Sequence, residues 1–463
     1  MVLAAAGVHT LNPGTGTRQA APYFSSQAAE PWRATKIPCL TSLRFFAASM
    51  IVVVHSRGLF GFRNDYHGMY GVLVQGVSFF FVLSGFILAY VYPRLDDWSS
   101  RKHFLCARFA RIWPAHMTAF FLFLFLLPRS LWVLPGVSAK LVALTHIFMI
   151  QSWFGQQEYF FAFDAPSWSI ATEFFFYLMF PLLIHRWSRN WWIKLGCSCL
   201  VLISLIAICN YAKVPYNAGN TTGTSIEALI YIHPLPHLFE FTLGMTAALA
   251  WSKSKERFSY GRTVGTLVEL GAIGLVVLGL ACIARAYQDP FHPSYWKAGE
   301  VWLGRAGTLW LSHSGAAPLF ALLIFCFAHE KGLISRILSA PFPVLLGEIS
   351  YSIYLVHWIF LRYYQTKLAC ISSSWVAGPF AYLIFWLMLL LTCHLIFVSI
   401  ESPSRRILMQ LVTGKNPARA VADPGYTVRF LNRYLGIFVE CIFLFALALS
   451  VWLVAHSHPC ELQ

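Results

Sequence analysis

From residue 38 onward the chain alternates long apolar runs with short polar connections. Runs near 38–56, 70–92, 112–128, 168–185, 192–211, 229–251, 264–286, 311–329, 344–364, 378–400 and 434–456 cluster around the ~20 residues that a helix needs to cross a bilayer. Residues 139–152 are apolar but short, which predicts a half-span or an interfacial helix. The pattern predicts an all-α, polytopic helical membrane protein. Residues 1–37 are rich in Ala, Gly, Thr and Pro and lack the apolar core of a secretory signal, so they predict a mobile tail.

Charge orients these spans. Connections holding Arg94/Arg101/Lys102/Arg108/Arg111, Arg186/Arg189/Lys194, Lys253/Lys255/Arg257/Arg262, Lys331/Arg336 and Arg405/Arg406/Lys415/Arg419 are basic, whereas 57–69, 212–226, 287–300 and 365–377 are less so. Placing every basic connection in the cytoplasm requires a cytoplasmic N-terminus and requires that 139–152 not cross fully. Ten crossings up to residue 400 follow, then a basic cytoplasmic linker at 407–433. An additional helix at 434–456 sends the short tail of segment 434–463 outside. No soluble catalytic domain is left over, so any chemistry is expected within the membrane.

Composition agrees. The chain has 463 residues, 58% hydrophobic and 11% charged, against roughly 25% charged in soluble domains, and its mean hydropathy is +0.61. In a soluble chain, 34 Lys+Arg against 19 Asp+Glu would suggest nucleic acid. Here the basic residues read as topology signals, and no nucleic-acid partner is expected. The cysteines are scattered, and Cys197 and Cys199 read as small packing residues.

Ionisable residues inside apolar spans cost at least a few kcal/mol and usually face a polar cavity. Arg44 and His55 lie eleven residues apart in TSLRFFAASMIVVVHS, which returns to nearly the same helix face roughly 16 Å further along. The pair predicts a cavity along that helix, with a cation near one end and an imidazole deeper in. Glu173, the lone carboxylate of an aromatic-rich span, must be paired or neutral; it is expected to orient His55 or to act itself as acid or base. Arg108 and Arg111 are three apart, at an expected cytoplasmic membrane edge. They suit phosphate through bidentate contacts, or alternatively anchor the helix to lipid head groups. Tyr351, Tyr354 and His357 share one helix face in GEISYSIYLVHWIF, and Glu401 closes the tenth crossing ahead of Arg405 and Arg406. Gly76, Ser84 and Gly85 permit close helix approach. No metal is expected, because the histidines lack HxxxH or HExxH spacing.

Taken in order, these segments resemble acyltransferase family 3, integral membrane O-acyltransferases. The resemblance runs from about Pro38 to Arg406, defining an acyltransferase core at 38–406. It rests on L-x-x-x-R with a histidine eleven beyond Arg44, G-V-x-F-F-F-V-L-S-G-F at 76–86, R-x-x-R-I-W-P at 108–114 and W-S-x-x-x-E at 168–173. F-x-x-G-M at 241–245, I-S-Y-S-I-Y-L-x-H at 349–357 and E-x-P-x-R-R at 401–406 complete the set. Thr41-Ser42 stand where the family often has Asp-Gly, Ser78 where an Asp is common, and Phe174 where a second acid is common. These departures bear on fine specificity. Many relatives carry an extra SGNH-type esterase domain; this chain is similar to the stand-alone members.

The resemblance implies transfer of an acyl group, commonly acetyl from acetyl-CoA, to a hydroxyl of an exopolysaccharide or other cell-envelope glycan. Residue by residue, it implies that His55 is the essential histidine, Arg44 its paired arginine, and Arg108/Arg111 the cytoplasmic arginines that meet CoA phosphates. Implied surroundings are the bacterial inner membrane and its lipids, a carbohydrate acceptor (lipid-linked acceptors included) and polysaccharide-synthesis proteins. A transporter or flippase carrying an anionic metabolite or lipid-linked sugar past Arg44, His55 and Glu173 is the alternative from another class, and a non-catalytic scaffold is a third.

Overall fold

A computed structural model describes residues 36–60, 69–133, 136–216, 223–257, 260–286, 297–368 and 378–413. The expected tail up to residue 35, the linker beyond residue 413 and the additional helix at 434–456 lie outside the described residues. All regular elements among the described residues are helical: α1 (Pro38–His55), α2 (Met69–Leu73), α3 (Gly76–Val91), α4 (Trp98–Leu126), α5 (Ala139–Ile147), α6 (Gln157–Phe160), α7 (Trp168–Ile184), α8 (Trp187–Tyr211), α9 (Leu238–Ser254), α10 (Arg262–Ala286), α11 (Lys297–Ser314), α12 (Ala317–Phe327), α13 (Leu333–Leu338), α14 (Pro341–Tyr363), α15 (Pro379–Ile396) and α16 (Ser402–Thr413). Nine helical segments among these residues are long and apolar enough to cross a membrane. The chain is an all-α polytopic membrane protein.

Three expected spans are built differently. The span read at 112–128 begins at Trp98, where Asp97 caps the helix by accepting from the Ser100 amide at 2.8 Å. Arg108 and Arg111 therefore lie inside a 29-residue helix, not in a connecting loop. Charge lowers the hydropathy of a window without opposing helix formation, since Arg and Lys are good helix formers. The span read at 229–251 is broken: a wide π-helical turn (Glu227–Ile232) ends at His233, whose extended backbone (ψ 137°) precedes Pro234, and α9 starts only at Leu238. Proline lacks an amide donor and disfavours helical geometry in the residue before it. The span read at 311–329 is split between α11 and α12. Fully buried Gln75 stitches that break, donating to the Leu311 and Ser312 carbonyls (3.0 and 2.8 Å) and accepting from the Ala316 amide (3.2 Å). Backbone groups freed in an apolar interior need such partners.

The short apolar segment after Ser138 forms α5, only nine residues, in keeping with an incomplete crossing. Further along, α15 passes through a π-helical turn (Phe397–Glu401) into α16, so the first residues of the expected linker are still helical.

Two helix contacts position the site. Helices α3 and α9 touch backbone to backbone: a Cβ on Gly85 would overlap the Phe241 carbonyl oxygen, and one on Gly244 the Val82 carbonyl oxygen. Close approach through small residues replaces the hydrophobic drive that lipid does not supply. Gly347 of α14 meets the Thr41 carbonyl of α1 in the same way. Thr41 thus faces Gly347 while His55 faces His357, so α1 and α14 run parallel.

Candidate active site

Beyond the Thr41–Gly347 contact, fourteen residues along α1 and ten along α14, the pair brings two imidazoles together. His55 Nδ1 lies 2.8 Å from His357 Nε2, with the rings stacked at 5.1 Å and 3°. His357 Nδ1 lies 3.2 Å from the Ile353 carbonyl oxygen. A carbonyl only accepts, so His357 Nδ1 carries the proton and its Nε2 is the acceptor. His55 Nδ1–H then donates to it, leaving the lone pair of His55 on Nε2. Trp358 packs edge-on against His55 at 5.2 Å. His357 is fully buried and His55 half-buried.

A second cluster gathers around Arg44, roughly 16 Å back along α1. The charges of Arg111 from α4, Glu401 and Glu173 from α7 act on Arg44. Arg111 in turn is acted on by Tyr177, Glu173, Glu401 and Tyr351. Two cations and two carboxylates balance one another, as buried charge requires. Tyr177 Oη donates to Glu173 Oε1, Ser352 Oγ donates to Glu401 Oε2 at 3.4 Å, and Tyr351 Oη donates to the Ile112 carbonyl at 3.0 Å.

Beyond this balanced group lie further cations. Arg108, 6% exposed, donates to Tyr92 Oη at 3.2 Å and lies over that ring, while its Nε has no partner among the described residues. Arg405 of α16, exposed, feels the charges of Arg111 and Arg108.

Each sequence candidate thus has a place. The α14 stripe spans both clusters: Tyr351 stands by the arginines and His357 by His55. Tyr354 between them accepts from Ser169 Oγ (2.8 Å) and donates to the Pro166 carbonyl (3.2 Å). Glu173, expected beside His55, instead accepts from Tyr177 and stands with Arg44 and Arg111. Arg44 lies in that cluster, roughly 16 Å along α1 from His55. Sequence reasoning missed Tyr177 and Arg405 as site residues. Tyr177 follows Glu173 by four residues, one helical turn on the same face, and Arg405 was visible only as part of a motif.

Asp164, just before α7, is 1% exposed, and neither carboxylate oxygen has a hydrogen-bond partner among the described residues. Burial pushes its carboxyl well above the usual carboxylate range. The fold then binds a proton that the unfolded chain releases, so its contribution to stability falls as pH rises above that range. Asp164→Asn removes this dependence. Its thermal midpoint in detergent should exceed the wild type's at pH 8 and match it near pH 4; equal midpoints at both pH values would mean an ionised, partnered carboxylate.

Comparison with known proteins adds identity to this geometry. The profile of a family described as Acyltransferase domain matches residues 37–399. The chain is 30% identical to Acyltransferase MdmB of Streptomyces mycarofaciens over 72% of this chain and 81% of that protein. It is 25% identical to the protein named "Putative peptidoglycan O-acetyltransferase YrhL" of Bacillus subtilis (91% of this chain, 63% of that protein). It is also 25% identical to O-acetyltransferase OatA of Staphylococcus aureus (80% of this chain, 57% of that protein). The chain therefore spans less than two thirds of the length of the latter two. No solved structure matches. With the family's profile covering nearly all of the described helices, the chain belongs to acyltransferase family 3, a family of integral membrane proteins.

Proposed function

We propose that this protein transfers an acyl group, acetyl from acetyl-CoA, to a hydroxyl of a cell-envelope carbohydrate, with His55 as general base. The observation that carries the reading is the hydrogen-bonded His55–His357 pair standing along α1 from a cluster of guanidinium groups. Arg108, Arg111 and Arg405 suit the pyrophosphate and 3′-phosphate of CoA. The extended pantetheine arm covers the separation of roughly 16 Å and delivers the thioester to His55.

His55 Nε2 takes the proton of the sugar hydroxyl as its oxygen attacks the thioester carbonyl. The C–O bond forms, the tetrahedral intermediate collapses, the C–S bond breaks, and the imidazolium returns its proton to the departing sulfur. His357, held by the Ile353 carbonyl, fixes the tautomer and orientation of His55, as a carboxylate does in a hydrolase triad. The orientation that fits the charge pattern puts the arginine end in the cytoplasm and the His55 end on the outer face of the inner membrane.

Reconstituted vesicles supplied with radiolabelled acetyl-CoA test the reading, using glycan extracted from a strain lacking the gene. Alkali-labile label on the glycan, with release of free CoA, is the expected result. Passage of CoA or glycan across the vesicle without ester formation would favour a transporter.

A further inference from the structure

A cavity of about 210 Å³ is walled by Trp132, Trp358, Phe161 and Phe163, with Ser130 and Arg362 among its polar lining. Trp358 is the link, because the indole that lines this cavity also packs against the His55 ring. Arg362, one turn beyond Trp358 on α14, lies over that indole at 5.8 Å, with Nη1 donating to Gln365 Oε1 at 3.0 Å.

The far wall is built rigidly. Trp132 Nε1 donates to the Leu127 carbonyl at 3.1 Å, and the Trp132 carbonyl accepts from the Phe163 amide at 2.8 Å. Phe163 adopts φ +50°, a left-handed conformation that costs a non-glycine residue of order 1 kcal/mol and persists where its surroundings impose it. Both tryptophans are half-buried, presenting ring surface without much side-chain entropy to lose.

We propose that this cavity is the acceptor subsite and that it takes a pyranose ring bearing an anionic group, carboxylate or phosphate. The inference rests on the acyl-transfer reading above. Flat aromatic walls suit the apolar C–H faces of a sugar, and among the described residues the lining carries one guanidinium and no carboxylate. A ring seated against Trp358 would lie one side chain away from His55, which packs against the same indole. The cavity lies at the opposite end of α1 from the arginine cluster, so donor and acceptor enter from different ends.

The test uses purified protein in nanodiscs with acetyl-CoA and glycan from a strain lacking the gene, either native, carboxyl-reduced or dephosphorylated. The wild type should prefer the native glycan to one of the two neutralised forms, and which one identifies the anion. Trp132→Ala and Arg362→Gln should each raise the acceptor KM about 10- to 100-fold while leaving the acetyl-CoA KM unchanged, which also reports that they fold. Arg362→Lys should recover part of the loss, and Arg362→Gln should erase the preference for the charged form. A wild type indifferent to glycan charge, or variants with unchanged acceptor KM, would overturn the proposal. A changed selectivity between acetyl- and butyryl-CoA at unchanged acceptor KM would overturn it too, making the cavity an acyl-chain pocket. Absence of transfer to every form would instead remove the acyltransferase reading itself.

Discussion

Replacing His55 with alanine should lower acyl transfer by about 10²–10⁴, the usual worth of general-base assistance. A sugar hydroxyl holds its proton far too tightly to attack a thioester unaided near neutral pH, so the loss should appear in kcat. Binding of acetyl-CoA should survive, because the guanidinium groups stand at the other end of α1, roughly 16 Å from His55. The helix should survive as well, since alanine is the best helix former and His55 is the last residue of α1. The measurement is turnover of radiolabelled acetyl-CoA with acceptor by the purified variant. Retention of most of that turnover would remove His55 from the chemistry.

The second large effect concerns Arg108 and Arg111. A charge-assisted hydrogen bond contributes about 1.5–3 kcal/mol, so losing two such contacts in Arg108→Ala/Arg111→Ala should weaken acetyl-CoA binding by about 10²–10⁴. Single Lys substitutions keep the charge and lose the bidentate fork, and should weaken donor binding by about tenfold with acceptor KM unchanged. Arg111 also balances Glu173 and Glu401, so the lysine variants are the cleaner measurement. Calorimetric titration with acetyl-CoA decides the matter: unchanged affinity in the double variant would return both residues to the role of lipid anchors.

Local periodicity carried the parts of this site that lie on one helix. Arg44 and His55 fall on one face of α1 because eleven residues make almost three whole turns, and Tyr351, Tyr354 and His357 succeed one another along α14 because residues three apart are neighbours on a helix surface. What joins those helices was not legible. His55 and His357 are 302 residues apart in sequence, and nothing within either segment distinguishes a partner histidine from one at a membrane interface. The early start of α4 was hidden because its first turns carry Arg101, Lys102, Arg108 and Arg111, which depress hydropathy without breaking a helix. The breaks at His233–His237 and Ser314–Ala316 were hidden for the opposite reason. At the first, Pro234 and Pro236 sit inside a stretch that is apolar on both sides, and at the second the freed backbone groups find their partner far along the chain, in Gln75. The aromatic cavity combines residues of α14 with loops flanking α5 and α6, a combination that only the packed chain reveals.

The wide turn at Phe397–Glu401 sets the rotational phase of the helix that follows it. A π-turn holds one residue more than the α-turn it replaces, so it offsets everything beyond it without interrupting the rod. Remove one residue, Val398 for instance, and the segment still reads as helix, equally apolar and with every charge retained. Yet the residues that follow would rotate by roughly 100° about the axis relative to those before, carrying Glu401 away from Arg44 and Arg111 and out of step with Arg405. A single-residue deletion there is consequently a graver lesion than many substitutions at Glu401 itself. What this turn transmits to the site is angular timing, a property that belongs to the count of residues and to no side chain among them.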